Sequence, residues 1–182
     1  MNAVVIDTNV ILVAKGVSPQ AWDSCVVACQ ERLERIIEGP EKVAIDNNRA
    51  ILSEYIDYLE DDDLTTDERI NEHFLQWFIR NHENSEQCLQ VSIKPSKDGT
   101  SFEELPTVFK NFDSDDHKFI AVAVVYEDVH QQKATILQSV DSQWYGAQEV
   151  FVENGLIIEF ICEENIRHLH ERRKERRHPK VK

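Results

Sequence analysis

The segment Ala3-Val4-Val5-Ile6-Asp7-Thr8-Asn9-Val10-Ile11-Leu12 begins as an unbroken apolar run rich in β-branched residues. That pattern predicts a strand covered on both faces, as in a parallel sheet. The run ends on a carboxylate, a hydroxyl and an amide, then turns apolar again. In open α/β sheets ligands bind outside the carboxyl ends of the strands, which puts Asp7 and Asn9 where chemistry is usually done. Both residue types also cap helices. On this segment alone, catalysis and capping are both open.

Working outward, Val43-Ala44-Ile45-Asp46 repeats the same pattern, Thr135 to Val140 runs into Asp141, and Leu156 to Ile161 forms a last strand. Between the first two, Ser18-Pro19 predicts a helix start and Gly39-Pro40 its stop. Trp22, Cys25, Val26, Cys29, Leu33, Ile36 and Ile37 recur there at three- and four-residue spacing. A second helix carries Ile51, Tyr55, Tyr58 and Leu59 on one face, with Glu54 on that same face. Glu60 to Asp63 reads as a solvated corner. Thr65 and Glu68 form a capping box for a helix bearing Ile70, Phe74, Trp77 and Phe78.

Cys88 to Ile93 reads as a strand or an extended connection, and Lys94 to Asn111 as an irregular excursion. Asp113-Ser114-Asp115-Asp116-His117 then precedes the apolar helix Phe119 to Tyr126. Ser142 to Glu149 is a short helix, and the chain is helical again from Glu163. The order β-α-β-α-α-excursion-α-β-α-β-α predicts an α/β fold, a mainly parallel central sheet flanked by helices.

A chain of 182 residues fits one domain with a real core. Its apolar runs fall short of the roughly 18 residues of a membrane span, and no basic region precedes the first of them. A soluble, cytoplasmic protein with no membrane partner is expected. Cys25, Cys29, Cys88 and Cys162 are expected as reduced thiols, the first two in the core, and their spacing does not suggest zinc. The net charge of −14 is unevenly spread: residues 167–182 hold eight Lys or Arg against two Glu, and the remainder 12 basic against 32 acidic residues. The chain therefore divides into a domain over 1–166 and a basic tail over 167–182. The tail has too few apolar side chains for a core element, so its first turns are expected to be helical and its end, from His178, mobile. Such a tail would hold a nucleic acid against the acidic body, dock an acidic partner or serve as a solubilising terminus.

In that frame Asp7 and Asp141 leave strand ends, Glu54 lies in the second turn after the second strand, and Asp116 heads a helix whose start opens toward the same edge. Four carboxylates so gathered do not all stay ionised without a cation. Hard oxygen donors suit Mg²⁺ or Mn²⁺. Such an ion binds phosphates and lowers the pKa of a water, so phosphodiester hydrolysis is the natural chemistry.

Val5-Ile6-Asp7-Thr8-Asn9, Glu54 within Ile51-Leu52-Ser53-Glu54-Tyr55, Asp116 heading Asp116-His117-Lys118-Phe119-Ile120-Ala121-Val122-Ala123, and Ser139-Val140-Asp141 form an ordered set. Together they resemble the PIN-domain ribonucleases, over roughly residues 3 to 162. The resemblance implies a PIN-like three-layer sandwich. It also implies Asp7, Glu54, Asp116 and Asp141 as ligands of Mg²⁺ or Mn²⁺, with Asn9 and Ser139 placing a water or a phosphate oxygen. The implied activity is metal-dependent endonucleolytic cleavage of single-stranded RNA leaving a 5′-phosphate. The implied setting is either a toxin with an antitoxin-like protein partner or an RNA-processing enzyme; a homodimer is a further candidate partner arrangement. The interval from Glu54 to Asp116 and the basic tail depart from compact members of that family.

Other residues take plainer readings. Asp46, Asp113 and Asp115 are expected as caps or solvated residues, with Asp115 able to support Asp116. His117 is expected at an exposed helix start, Trp22, Phe74, Trp77 and Phe78 in the core, and Trp144 as a base-stacking residue. A phosphohydrolase of another α/β class is disfavoured because position 9 is Asn, where a phospho-aspartate motif places a second Asp. A PIN-like scaffold that binds partners without catalysis is disfavoured by the presence of all four acids.

Overall fold

The computed structural model describes residues 2–60 and 71–177. The Thr65–Glu68 capping box, Ile70, most of the acidic corner and the end of the tail from His178 lie outside these residues.

Among the described residues, five parallel strands form one sheet in the order β3-β2-β1-β4-β5: β1 Ala3–Ile6, β2 Lys42–Asp46, β3 Cys88–Val91, β4 Ala134–Gln138 and β5 Ile157–Phe160. Every pairing is parallel. The β1 and β2 residues are all buried, as their continuous apolar sequence requires. Helices flank the sheet, consistent with the expected PIN-like three-layer sandwich. The chain steps outward from β1 to β2 and β3, then returns to lay β4 against the other side of β1. The carboxyl ends of β1 and β4 therefore border the point where strand order reverses, the place for a ligand in this class of fold.

The helices are α1 Thr8–Ala14, α2 Asp23–Glu38, α3 Ala50–Glu60, α4 Asn71–Asn81, α5 His117–His130, α6 Ser142–Gly146, α7 Gln148–Glu153 and α8 Glu163–Arg177. Three elements differ from expectation. Ser142 to Glu149, expected as one short helix, is found as α6 and the start of α7, broken at Ala147. The apolar residues after Asn9 form α1, whose Val10, Ile11, Val13 and Ala14 are all buried. The helix expected from Ser18-Pro19 starts only at Asp23, leaving Trp22 at its N-cap with 43% of its surface exposed. Trp22 therefore lies outside the core, whereas Phe74 and Phe78 are buried and Trp77 packs at the core's edge.

α5 is apolar on every side. It packs across β1, β2, β3 and β4, and nine of its residues from His117 to Tyr126 are buried. The excursion after β3 is pinned by a bridge between Pro95 and Phe102 and by buried Leu105 and Phe109. Arg32, nearly buried on α2, forks onto Glu41 and Glu159 and ties α2 to the sheet (Nε to Glu159 Oε1 at 2.8 Å).

The cysteines correct an expectation: Cys25 and Cys162 form a disulfide, and Cys29 and Cys88 are buried thiols. A separation of 137 positions between the partners gives the sequence no local sign of the pairing. The disulfide joins α2 to the approach to α8. α8 runs unbroken across position 167, with Ile166 buried and Leu169 against the core.

Candidate active site

Asp7 leaves β1 and caps α1. Its Oδ1 accepts the Asn9 N–H at 2.8 Å and its Oδ2 accepts from Gln138 Nε2 at 2.6 Å. Gln138, the last residue of β4, is fully buried, and its Oε1 accepts from Asn9 Nδ2 at 2.5 Å. Asn9 Oδ1 in turn accepts both the backbone N–H and the hydroxyl of Ser139, at 3.0 and 2.5 Å. Gln138 and Asn9 thus lock the ends of β1 and β4 together. The residues expected to place a water or a phosphate oxygen are engaged with each other, and Ser139 is fully buried.

Asp141 follows β4 and caps α6, accepting the Gln143 N–H on Oδ1 at 2.7 Å. Asp116 closes a 3₁₀ turn, Ser114–Asp116, and sits at the N-cap of α5, its Oδ2 accepting from Trp144 Nε1 at 3.0 Å. Asp116 Oδ1 and Asp141 Oδ2 accept no hydrogen bond among the described residues. Glu54, on α3, accepts from the Thr8 hydroxyl and pairs with Lys118 Nζ, which also donates to the Asp115 carbonyl. Lys118 is itself nearly buried. Its ammonium offsets the Glu54 charge and ties α3 to the start of α5.

The acids act on one another. Burial pushes the Asp7 carboxyl well above the usual range, helped by Asp116, Asp141 and Glu54 and opposed by the Asn9 N–H. Asp116 is pushed up to about 7, by burial first and then by Asp141 and Asp113, against the Trp144 hydrogen bond and Lys118. The Tyr55 hydroxyl, held by the Ile6 carbonyl, is raised by burial and by Asp7 and Glu54. The four acids therefore share one field at the switch point. They are spread out, though: among the described residues no three of them bring oxygens within 4.8 Å of one another, as the sulfurs of Cys25, Cys29 and Cys162 do. Hard oxygen donors that repel one another fit a Mg²⁺-like ion held by a few carboxylates with water completing its shell. Asp116 and Asp141, each with one oxygen that accepts no hydrogen bond among the described residues, are the residues that would hold it, with Asp7 adding its charge from beside them.

Asp46 is a cap, as expected: Oδ2 accepts the Ala50 N–H at 2.8 Å and Oδ1 the Ile51 N–H at 2.9 Å, so both oxygens are used. Asp113 caps the 3₁₀ turn through the Asp115 N–H. Two expectations are overturned here. His117 is buried, with Nε2 on the Phe112 carbonyl at 3.1 Å, because it enters α5 under the excursion. Trp144 is fully buried, stacked on Phe151 with ring centroids 4.8 Å apart, so it faces Asp116 and not a base.

Gln138 and Lys118 carry no signal of a site role in one sequence beyond being polar residues set in apolar runs beside Ser139 and Asp116. No helix among the described residues is long and apolar enough to cross a membrane. Comparison with family models, curated proteins and solved structures finds no match for this chain.

Proposed function

We propose that the chain is a metal-dependent endoribonuclease of PIN-domain type that cleaves single-stranded RNA. The observation that carries this reading is the gathering of Asp7, Asp116 and Asp141 at the switch point, where burial first and the neighbouring acids second hold Asp7 and Asp116 above the carboxylate range. Carboxylates in that state await a cation. With Glu54 already paired to Lys118, three acids remain, a charge that one divalent ion offsets in large part.

A bound Mg²⁺ or Mn²⁺ would hold a phosphate oxygen, lower the pKa of a water and stabilise the charge that develops on phosphorus. The protein's own part is positioning. Gln138 and the Asn9 N–H hold Asp7, Trp144 holds Asp116, and the Gln143 N–H holds Asp141. Water adds to phosphorus and the P–O3′ bond breaks, leaving a 5′-phosphate and a 3′-hydroxyl.

Labelled single-stranded RNA incubated with Mg²⁺ or Mn²⁺ tests this, with a chelator as control. Cleavage that the chelator abolishes and that Asp7→Asn reduces by at least a hundredfold is expected. Absence of cleavage with either metal, or cleavage indifferent to the chelator, overturns it.

A further inference from the structure

Arg173 on α8 donates from Nη1 to Ser142 Oγ at 3.3 Å, and His170 Nδ1 lies 3.2 Å from the Ser142 carbonyl oxygen. Ser142 is the residue after Asp141. The His170 ring lies directly on Gly146, where a Cβ would come within 2.8 Å of it. The basic helix is thereby fixed against the acidic edge and is not a loose tail.

Beside Ser142 runs a groove of about 640 Å³, lined by Trp22, Ser142, His168, Arg172, Arg173 and Arg176 among others. A second hollow, bordered by His170 and Lys174, shares Ser142 and Arg173 with it. Arg172, Lys174 and Arg176 are exposed and form no ion pair among the described residues. Trp22 stands at the groove wall with its ring 5.8 Å from His168 and 43% of its surface exposed. Its backbone N–H is held by Asn165 Oδ1 at 2.9 Å, an anchor that does not involve the ring. Residues 1–166 carry a formal charge of −20, which repels a polyanion, whereas this groove presents guanidinium groups and an open indole.

We infer that the groove between Trp22 and α8 is the track along which single-stranded RNA approaches Asp141, with Arg172 and Arg176 on phosphates and Trp22 stacking on a base. Guanidinium groups bind phosphates whatever the sequence, and an aromatic face accepts any base. The inference rests on the nuclease reading for its substrate, but its test does not depend on cleavage.

Binding of a labelled oligouridylate is measured in chelator, at several salt concentrations, for the full chain and for Trp22→Ala, Trp22→Phe and Arg172→Gln/Arg176→Gln. Trp22→Ala is expected to weaken binding about tenfold and Trp22→Phe to restore most of it. The double arginine variant should weaken it about tenfold at low salt. It should also flatten the slope against log salt by about 1.4, or about 0.7 for each phosphate no longer neutralised. Unchanged affinity in these variants, with melting curves like the parent's, overturns the track even if the parent cleaves RNA. The predicted losses without cleavage in any metal would retain the track and overturn the nuclease reading instead. Polyglutamate bound as tightly as RNA, with the same losses, overturns RNA as the occupant in favour of an acidic protein.

Discussion

Gln138 Nε2 donates to Asp7 Oδ2 at 2.6 Å, between side chains that are 0% and 3% exposed. Because Gln138 Oε1 also accepts a hydrogen bond from Asn9 Nδ2, one carboxamide orients both residues where β1 gives way to α1. Gln138→Leu keeps much of the volume and removes both bonds. It leaves a buried carboxylate oxygen and an amide N–H without partners, which costs about 2 kcal/mol or more. A urea midpoint lowered at unchanged slope is expected, with cleavage down by at least tenfold in the folded fraction. An unaltered midpoint would show that the bridge contributes nothing to stability.

Trp144 combines two roles that a substitution can separate. Its ring stacks on Phe151, and its Nε1–H lowers the ionisation range of Asp116. Trp144→Phe keeps a stacking ring and loses the donor. The Asp116 carboxyl should then titrate above its value of about 7, and the acid limb of the pH–rate profile should move up with it. Carboxyl carbon NMR of the metal-free protein follows the group directly. A titration that stays put or moves down would mean that the indole hydrogen bond has no electrostatic weight.

Asp116 also sets a pH dependence of folding. Its carboxyl titrates near 7 in the folded chain and near about 3.9 in an unfolded one. Between those values the folded state binds more protons, so this group's contribution to stability falls as pH rises through the window. In chelator, the parent's melting temperature should drop relative to that of Asp116→Asn as pH goes from about 4 to about 7. Mg²⁺ should raise it more at pH 8 than at pH 5.5, because the ion needs the charged form. A parent that gains stability over Asp116→Asn with rising pH would reverse the sign and remove the argument.

β1, β2 and β4 and the order of the acids are legible in the chain because each of these strands is a short apolar run leading to a polar residue. β3, with Gln90 inside it, reads equally as an extended connection, whereas Asp46 as a cap follows from its position before α3. α1 is not legible. Val10, Ile11 and Val13 are β-branched and buried, so neither propensity nor periodicity marks a helix, and the Asp7 cap decides it. Trp22 fits the apolar spacing of α2 but sits just before the helix, where that spacing no longer controls which way a ring faces. His117 and Lys118 look solvent-facing because nothing local shows that the excursion and α3 cover them. The partners of Gln138, Asp7 and Asn9, lie about 130 residues away at the start of α1, beyond the reach of any local pattern.

The Cys25–Cys162 disulfide gives the last prediction. Closing a loop across 137 residues restricts the unfolded chain strongly, and such bridges typically contribute about 2–4 kcal/mol. α8 keeps other anchors, with Asn165 on the Trp22 N–H and the Gln20 carbonyl and Ile166 fully buried, so its loss should weaken the fold without abolishing it. Thiol titration in denaturant should find two reactive cysteines before reduction, Cys29 and Cys88, and four after it. Cys29 Sγ lies 3.9 Å from Cys162 Sγ, so a single Cys25→Ser variant can re-pair Cys162 with Cys29 by a small side-chain movement. The single variant should therefore retain much of the stability under oxidising conditions, whereas Cys25→Ser/Cys162→Ser should lose the full amount whatever the redox state. Four reactive thiols in the unreduced parent, or equal urea midpoints for the parent and the double variant, would remove the disulfide from the account of what holds α8 in place.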